Sequence, residues 1–423
     1  MKVLIISHNV FSKSASMGKT LASDFEGWDK EKLAQFYIHS EIPTVDMCLK
    51  YFRFTDKEAI KSIVTRKGGR SYSQDDIKLG MQESFVFDQK TANIYQKGRK
   101  RTPIIYLVRN LLWKLSGWNN RRYRKWVDEF NPDIVFFASG DYAFLYDIAL
   151  KTAKRKKIPL VVCCMDDYYF NNKNKNRILG RITHSMFMKR VRRTIDYSSC
   201  LMCICEKMSS DYEKLFQKKC FTLHTPTTIL RPLNEEKNNA ISYLGNLGNK
   251  RYENLIDIGR ALKDLDIDGA PKFVDVYTTE PRQEILQYLT EENGIRLHKA
   301  VGYEEVKRIM GASIAVIHTE SFKEEFKQAV AYSVSTKIAD SLASGTCILA
   351  YGPKDVASIR YLIDNDVAFV VNNYEDLQTK LVELITNAEL RSQIETNAKR
   401  LAGLNHNGQK NTKLIYEVMA SLI

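Results

Sequence analysis

Residues 333–352 read SVSTKIADSLASGTCILAYG, and in that order they spell a helix, a stop and a buried strand. Ser335 and Thr336 are residue types that cap helix N-termini. Ile338, Ala339, Leu342 and Ala343 recur at helical spacing and make one apolar face, and Gly345 stands where a left-handed C-terminal cap is needed. CILAYG (347–352) then reads as a strand covered on both faces, the habit of a parallel sheet. The free amides and partial positive charge of the helix start, with hydroxyls at 335 and 336 and Lys337 beside them, suit a phosphate group. Asp340, one turn further in, is near enough to accept hydrogen bonds from a ribose. A plain capped helix with Lys337 and Asp340 in solvent fits the same residues.

Upstream, the same rhythm repeats. AISYLG (240–245), KFVDVYT (272–278), ASIAVIH (312–318) and AFVV (368–371) are strand-like, with helical patterns over Tyr252–Leu265 and Glu375–Ala402. The first half carries Val3–Ser7, DIVFF (133–137), PLVVCCM (159–165) and CLMCICE (200–206), with helices near Lys19–Phe25 and over Tyr142–Lys154. Between the halves, TPTTILRPLNEE (225–236) has two prolines and little periodicity. At 423 residues the chain exceeds the roughly 250–300 at which one core stops growing. The predicted fold class is α/β: two Rossmann-like doubly wound domains facing across a cleft, with ligands at the strand C-termini. Its boundaries are 1–228 for the first domain, 229–237 for a linker, 238–404 for the second domain, and 405–423 for a C-terminal helix, apolar in period over Lys413–Leu422, that crosses back to the first domain.

Composition agrees with an ordinary globular chain, at 44% hydrophobic and 27% charged residues. The apolar run in Met1–Phe11 is too short for a signal-peptide core, and the longest apolar region, Ile134–Leu150, is interrupted by Asp141 and Asp147. A cytoplasmic protein is therefore expected. Cys200, Cys203 and Cys205 lack a second ligand pair at zinc-site spacing, so buried reduced thiols and no metal are expected. The net charge of +14 is uneven: ten basic residues and no acid lie between Lys97 and Lys125, and eight and none between Asn172 and Arg193. Such a field attracts phosphorylated small molecules, anionic lipid or nucleic acid.

Further candidate positions follow from loops after strands. YLGNLGNKR (243–251) has Gly245 and Gly248 for close approach of a ligand, and Lys250 and Arg251 for charge; an ordinary strand-to-helix turn has the same composition. SHNVFSKSASMGKT (7–20) ends like a Walker A loop, but position 13 is Lys where that motif needs Gly, which excludes it. Gly18 still allows close approach, Lys19 adds charge, and His8 is either a site residue or a core histidine. In MDDYYF (165–170), Asp166 or Asp167 is placed to orient or deprotonate an acceptor hydroxyl, or to cap the following turn. Pro103–Trp126 is helical in period, with Trp113, Trp118 and Trp126 among Arg109, Lys114, Arg121, Arg122, Arg124 and Lys125. It reads either as a membrane-interface helix or as a packed helix with a basic solvent face.

These motifs, with MGKTLASDFEGW (17–28), EFNPDIVFF (129–137), CEKMSSDYEKLF (205–216), ISYLGNLGNKRYENL (241–255), IHTESF (317–322), STKIADSLASG (335–345) and ILAYGP (348–353), resemble the retaining GT-B glycosyltransferases of family four, and among them those of bacterial capsule and exopolysaccharide clusters. The resemblance spans nearly the whole chain. It implies a nucleotide-sugar donor as substrate, no cofactor, and a saccharide or polyprenyl-diphosphate-linked acceptor. The basic, tryptophan-bearing stretch 97–126 is expected to dock at the inner membrane face, where such an acceptor is presented. It places Gly245, Asn246, Gly248, Lys250 and Arg251 at the donor diphosphate, and Ser335, Thr336 and Lys337 on its phosphates. Asp340 falls where the family has a ribose-binding glutamate, and Glu320 and Ser321 begin the loop that touches the transferred sugar. His8, Gly18 and Lys19 fall on the acceptor side. The chain departs from the pattern in spacing: nineteen residues separate Glu320 from Asp340 where the family has seven, and Tyr332 occupies the position the usual spacing assigns to the first acid. The implied reaction retains anomeric configuration, with the leaving diphosphate accepting the acceptor's proton. A sugar-nucleotide epimerase on the same fold and a catalytically degenerate partner subunit are the alternatives. A nucleic-acid binder is disfavoured, because the basic runs contain no recognisable reading element.

Overall fold

Strands whose residues are apolar at every position, such as VLII at Val3–Ile6, need cover on both faces, and a parallel sheet between helix layers supplies it. The computed structural model describes residues 1–12, 16–72, 76, 102–171, 177–227, 229, 233 and 235–423. It divides into two units, Met1–Leu223 with Gly408–Ile423 and His224–Asn407. Each is a doubly wound α/β sheet of the expected class.

In the first unit, eight strands are described: β1 (Val3–Ile6), β2 (Leu33–Tyr37), β3 (Lys50–Arg53), β4 (Arg70–Tyr72), β5 (Ile134–Ser139), β6 (Leu160–Cys164), β7 (Cys200–Cys203) and β8 (Cys220–Thr222). Their order is β4-β3-β2-β1-β5-β6-β7-β8, parallel except for β4 against β3. The winding reverses beside β1, so the loops after β1 and β5 part at their carboxyl ends. The C-terminal helix Gly408–Ala420 lays Ile415, Val418 and Met419 into this unit's core with Val3, Ile5 and Phe136. Asn411 of that helix donates to the buried carboxylate of Asp24 at 3.4 Å, and burial pushes the Asp24 carboxyl up to about 7.

The second unit contains β9 (Ile241–Leu244), β10 (Val274–Thr278), β11 (Ile295–Lys299), β12 (Ala315–Thr319), β13 (Cys347–Tyr351) and β14 (Phe369–Val371), all parallel in the order β11-β10-β9-β12-β13-β14. Here the winding reverses between β9 and β12, which sets the loops beginning at Gly245 and Glu320 side by side.

Several expected elements differ in extent. Pro103–Trp126 is two helices, Pro103–Leu115 and Arg121–Phe130: Ser116 is extended, and the Asn120 side chain caps the second by accepting from the Tyr123 N–H. Its tryptophans are not on an interface-facing side but buried. Trp113 stacks on Phe144 at 4.2 Å and donates through its indole N–H to Asp56 at 2.6 Å, and Trp118 and Trp126 pack around Tyr123. Glu375–Ala402 breaks at Asn387, whose side chain caps Ala388–Asn405 after Leu377–Thr386 ends. CLMCICE leaves the sheet at Cys203, and Cys205 caps the helix Glu206–Phe216 through its thiol. In the segment expected as a linker, Ile229 is buried with Val330, Ile338 and Leu342, and the Leu233 N–H donates to the Ser344 carbonyl. Linker positions 228, 230–232 and 234, Lys13 of the first loop, and the basic stretches 97–101 and 172–176 lie outside the described residues.

Candidate functional site

The loop after β9 is built by its own polar groups. The Gly245 N–H donates to the Tyr277 carbonyl at 3.0 Å, and the Tyr243 hydroxyl donates to the Asn246 carbonyl at 2.5 Å. Asn246 Oδ1 accepts from the Gly248 N–H at 3.2 Å and from Arg251 Nη1 at 3.1 Å. Asn249 and Lys250 then turn left-handed, with φ of 55° and 56°, and the helix Arg251–Lys263 begins. The two cations of this loop go different ways. Lys250 pairs with Glu253 on the surface, whereas Arg251 turns inward.

Arg251 forms a two-pronged ion pair with Glu320: Nε and Nη2 reach Oε2 at 3.1 and 2.9 Å, and Nη2 reaches Oε1 at 2.8 Å. The Glu320 carboxylate is buried, and burial pushes its pKa upward while the guanidinium pulls against it. Arg251 Nε also donates to the Thr319 carbonyl, and Asn254 donates to the Thr319 hydroxyl and the Glu320 carbonyl, so the loop after β12 is locked to this helix. Both Glu320 oxygens are thus directed at Arg251. Ser321 is buried, its hydroxyl accepting from the Lys323 N–H.

Facing this pair stands Lys337, at the start of the helix Thr336–Ser344. Its ammonium lies against Gly245 so closely that a Cβ built there would fall on Nζ, and it sits 6.0 Å from the centre of the Tyr243 ring. Gly245 is therefore required by an approach, not by a turn. Lys337 has no acidic partner among the described residues. Although its side chain reaches solvent, the ammonium is set among protein atoms and repelled by Arg251, which together push its pKa down to about 8. The same two cations, after burial itself, hold the neighbouring His318 imidazole neutral, its pKa down at about 3, and His318 Nε2 has no hydrogen-bond partner among the described residues. Ser335 caps the helix through its backbone only, and Thr336 is exposed.

A cavity of about 410 Å³ opens here, lined among others by Gly245, Asn246, Tyr277, Tyr303, Lys337 and Asp340. Asp340 receives hydrogen bonds from the Thr227 hydroxyl at 2.7 Å and the Tyr303 hydroxyl at 3.0 Å. At the other wall, Tyr277 stacks on His298 at 4.4 Å, and His298 is itself held by Asp275 at 2.7 Å. Among the described residues the site combines one cation without an acidic partner, one fixed carboxylate and aromatic walls, the equipment for an anionic ligand carrying hydroxyls and a flat ring. Sequence reasoning missed Thr227, Tyr277, His318 and Tyr303. Tyr303 and Thr227 stand 37 and 113 positions from Asp340, beyond any local pattern.

In the first unit, His8 follows β1 and packs against His39 at 5.3 Å and Tyr142 at 5.4 Å. Asn9 joins His39 at 3.0 Å and Glu41 at 3.2 Å, a polar cluster of which only His8 was marked in the sequence. Gly18 is explained by packing: a Cβ there would meet the Val10 carbonyl oxygen. Lys19 is exposed. Asp167 is buried, with Oδ1 accepting from the Tyr169 and Phe170 amides at 3.1 Å each and from the Tyr212 hydroxyl at 2.7 Å, while Asp166 caps the Asp167 amide at 2.9 Å. This is the turn-capping arrangement that the sequence also allowed.

No protein-family model and no curated sequence matches the chain. Among solved structures it is similar to HepE of Anabaena in complex with UDP, with a TM-score of 0.64 and 10% identity over all of both chains. It is also similar to the α,α-trehalose-6-phosphate synthase of Burkholderia multivorans, with a TM-score of 0.57 and 10% identity over 99% of this chain and 96% of that one. The sucrose-phosphate synthase of Thermosynechococcus elongatus gives a TM-score of 0.57 and 10% identity, covering 100% and 98%. At such identity the likeness is one of fold, the GT-B architecture over the full length.

Proposed function

We propose that this chain is a glycosyltransferase that takes a sugar from a nucleotide-sugar donor bound in its second unit. The single observation that carries the reading is Lys337: a cation without an acidic partner among the described residues, pressed against Gly245 and lining a cavity together with Asp340. Leaving an ammonium beside a guanidinium is unfavourable unless an anion completes the site, and a diphosphate does so. The donor diphosphate lies on Lys337, the Ser335–Lys337 helix start and the Gly245–Gly248 loop. Asp340 accepts from the ribose, and the base lies toward Tyr277 and Tyr303. Arg251, held by Glu320, adds charge behind the phosphates, so Glu320 acts by holding Arg251.

Structures of the similar HepE contain UDP and UDP-glucose, which supports a uridine donor here. The reaction we propose retains configuration. The bond from the anomeric carbon to the diphosphate breaks as the acceptor hydroxyl attacks from the same face, its proton passing to the departing phosphate oxygen. Protein cations take the role a divalent ion would have, so turnover is insensitive to chelators. The acceptor is a saccharide on a polyprenyl diphosphate, in bacterial capsule or exopolysaccharide synthesis at the cytoplasmic face of the inner membrane.

Calorimetric titration with UDP-, GDP- and dTDP-sugars, with Lys337→Ala in parallel, tests the reading. Saturable binding of one donor is expected, weakened at least about a hundredfold in the variant, consistent with loss of a charge-assisted contact. Folded protein that binds none of them overturns it. Release of epimerised donor without acceptor would instead identify an epimerase.

A further inference from the structure

With Trp113 of the helix Pro103–Leu115 turned inward, aliphatic side chains are left outside. Ile104, Val108, Leu111 and Leu115 recur at four-, three- and four-residue steps, which aligns them along one side of the helix. The helix Ile178–Tyr197 packs against it, with Arg190 donating to Asn110 at 3.3 Å, and likewise turns Ile178, Ile182 and Met186 outward. These seven side chains are 41–79% exposed, while Trp113, Phe187 and Val191 of the same helices are buried. Single exposed aliphatics are ordinary, but aligned rows on two neighbouring helices mark a contact surface.

Charge decides what the surface meets. No acidic residue occurs from Thr102 to Val127 or from Arg177 to Ile195. Arg109, Arg190 and Arg193 are paired with acids of other elements, and Arg192 with Asp196. Lys114, Arg177, Arg181 and Lys189 are exposed and have no acidic partner among the described residues. A second copy of this chain would bring like charges together around its apolar rows, and nucleic acid would leave the aliphatic rows in water. An anionic bilayer satisfies both: its headgroups meet the Lys and Arg side chains, and its acyl boundary takes up the aliphatic row.

We infer that these two helices are the surface by which the protein docks on anionic membrane, through Ile104, Val108, Leu111 and Leu115 of the first and Ile178 and Ile182 of the second. The inference takes up the membrane placement proposed above. It is independent of the donor chemistry, because vesicle binding and donor binding are read separately on residues of different units.

The full chain is sedimented with vesicles of phosphatidylcholine alone and of phosphatidylcholine with phosphatidylglycerol. Binding to the anionic vesicles is expected to be at least about tenfold stronger and to weaken with salt. The double variant Val108→Asp/Leu111→Asp is expected to lose about tenfold or more, and Arg177→Gln/Arg181→Gln/Lys189→Gln to lose the preference for anionic lipid. All of these positions are exposed, and unchanged thermal unfolding confirms folding. Equal binding to both vesicles, or anionic binding that both variants leave intact, overturns the proposal. So does a dimer in solution that the Asp variant dissociates, in a protein that ignores vesicles.

Discussion

The two units present their charged groups at strand ends in opposite ways. In the first, Asp167 is surrounded by donors of its own unit: two amides and the Tyr212 hydroxyl converge on one oxygen. In the second, Lys337 faces another cation and a neutral imidazole whose Nε2 lacks a partner among the described residues. A group satisfied by its own protein is a strut; a group left uncompensated at an accessible cavity awaits a ligand. In sequence neither position declares which it is: Asp167 follows an apolar strand and Lys337 opens a helix, both ordinary places for a charged residue. Only the three-dimensional inventory of partners separates them.

The sharpest test of that contrast is Glu320, which sits on the ligand-binding side yet is spent on a strut. Glu320→Ala leaves the Arg251 guanidinium buried and uncompensated, and breaking such a pair costs about 3–5 kcal/mol. Denaturant unfolding, followed by a probe in the second unit, should show a loss of that order. The double variant Arg251→Met/Glu320→Leu should recover most of it while donor binding stays weak. If Glu320→Ala is fully stable and only turnover falls, Glu320 works on the substrate directly and the contrast between strut and ligand group fails at this position.

Second in size is Asp167→Ala. Removing the acceptor strands the Tyr169 and Phe170 amides and the Tyr212 hydroxyl, for an expected loss of about 2 kcal/mol from the first unit. Donor titration should be unchanged. Normal stability with abolished transfer would restore Asp167 as a base acting on the acceptor.

How much of this was legible beforehand follows the range of the forces involved. The mostly apolar strands β1, β5, β6, β9, β12 and β13 and the two-domain rhythm could be read directly, since burial on both faces writes itself into consecutive residues. Strands β2, β3, β4, β8 and β11 could not: polar or charged residues interrupt LAQFY and IRLHK, and the other three are three or four residues of mixed polarity without a period. The helix breaks at Ser116 and Asn387 were hidden because apolar periodicity continues across them, while the capping side chains that mark them are also common in loops. In the site, Gly245, Lys337 and Asp340 were found because glycine loops and helix starts are local signals. The bidentate grip of Glu320 on Arg251, across 69 positions, depends on tertiary approach.

The smallest effect is the most diagnostic. Gly245→Ala adds a methyl where Lys337 Nζ now lies and 3.1 Å from the Tyr243 hydroxyl. Nζ is the free end of a flexible chain and can move toward solvent, whereas the buried Tyr243 must give by a few tenths of an ångström, so stability should fall by about 1 kcal/mol. Donor affinity should fall about tenfold, or ~1.4 kcal/mol, because the ammonium is displaced from its seat. The pH profile then distinguishes displacement from steric exclusion of the donor. In the native protein the surroundings depress the Lys337 pKa to about 8, and the protonated form is the one that attracts a diphosphate. Affinity therefore falls as pH rises through that value. Moved into solvent and away from Arg251, the lysine recovers its ordinary, higher pKa, and the fall shifts to higher pH. A Gly245→Ala variant that binds tenfold more weakly but keeps the native pH profile would mean that Lys337 has not moved. The close approach at Gly245 would then belong to the donor itself.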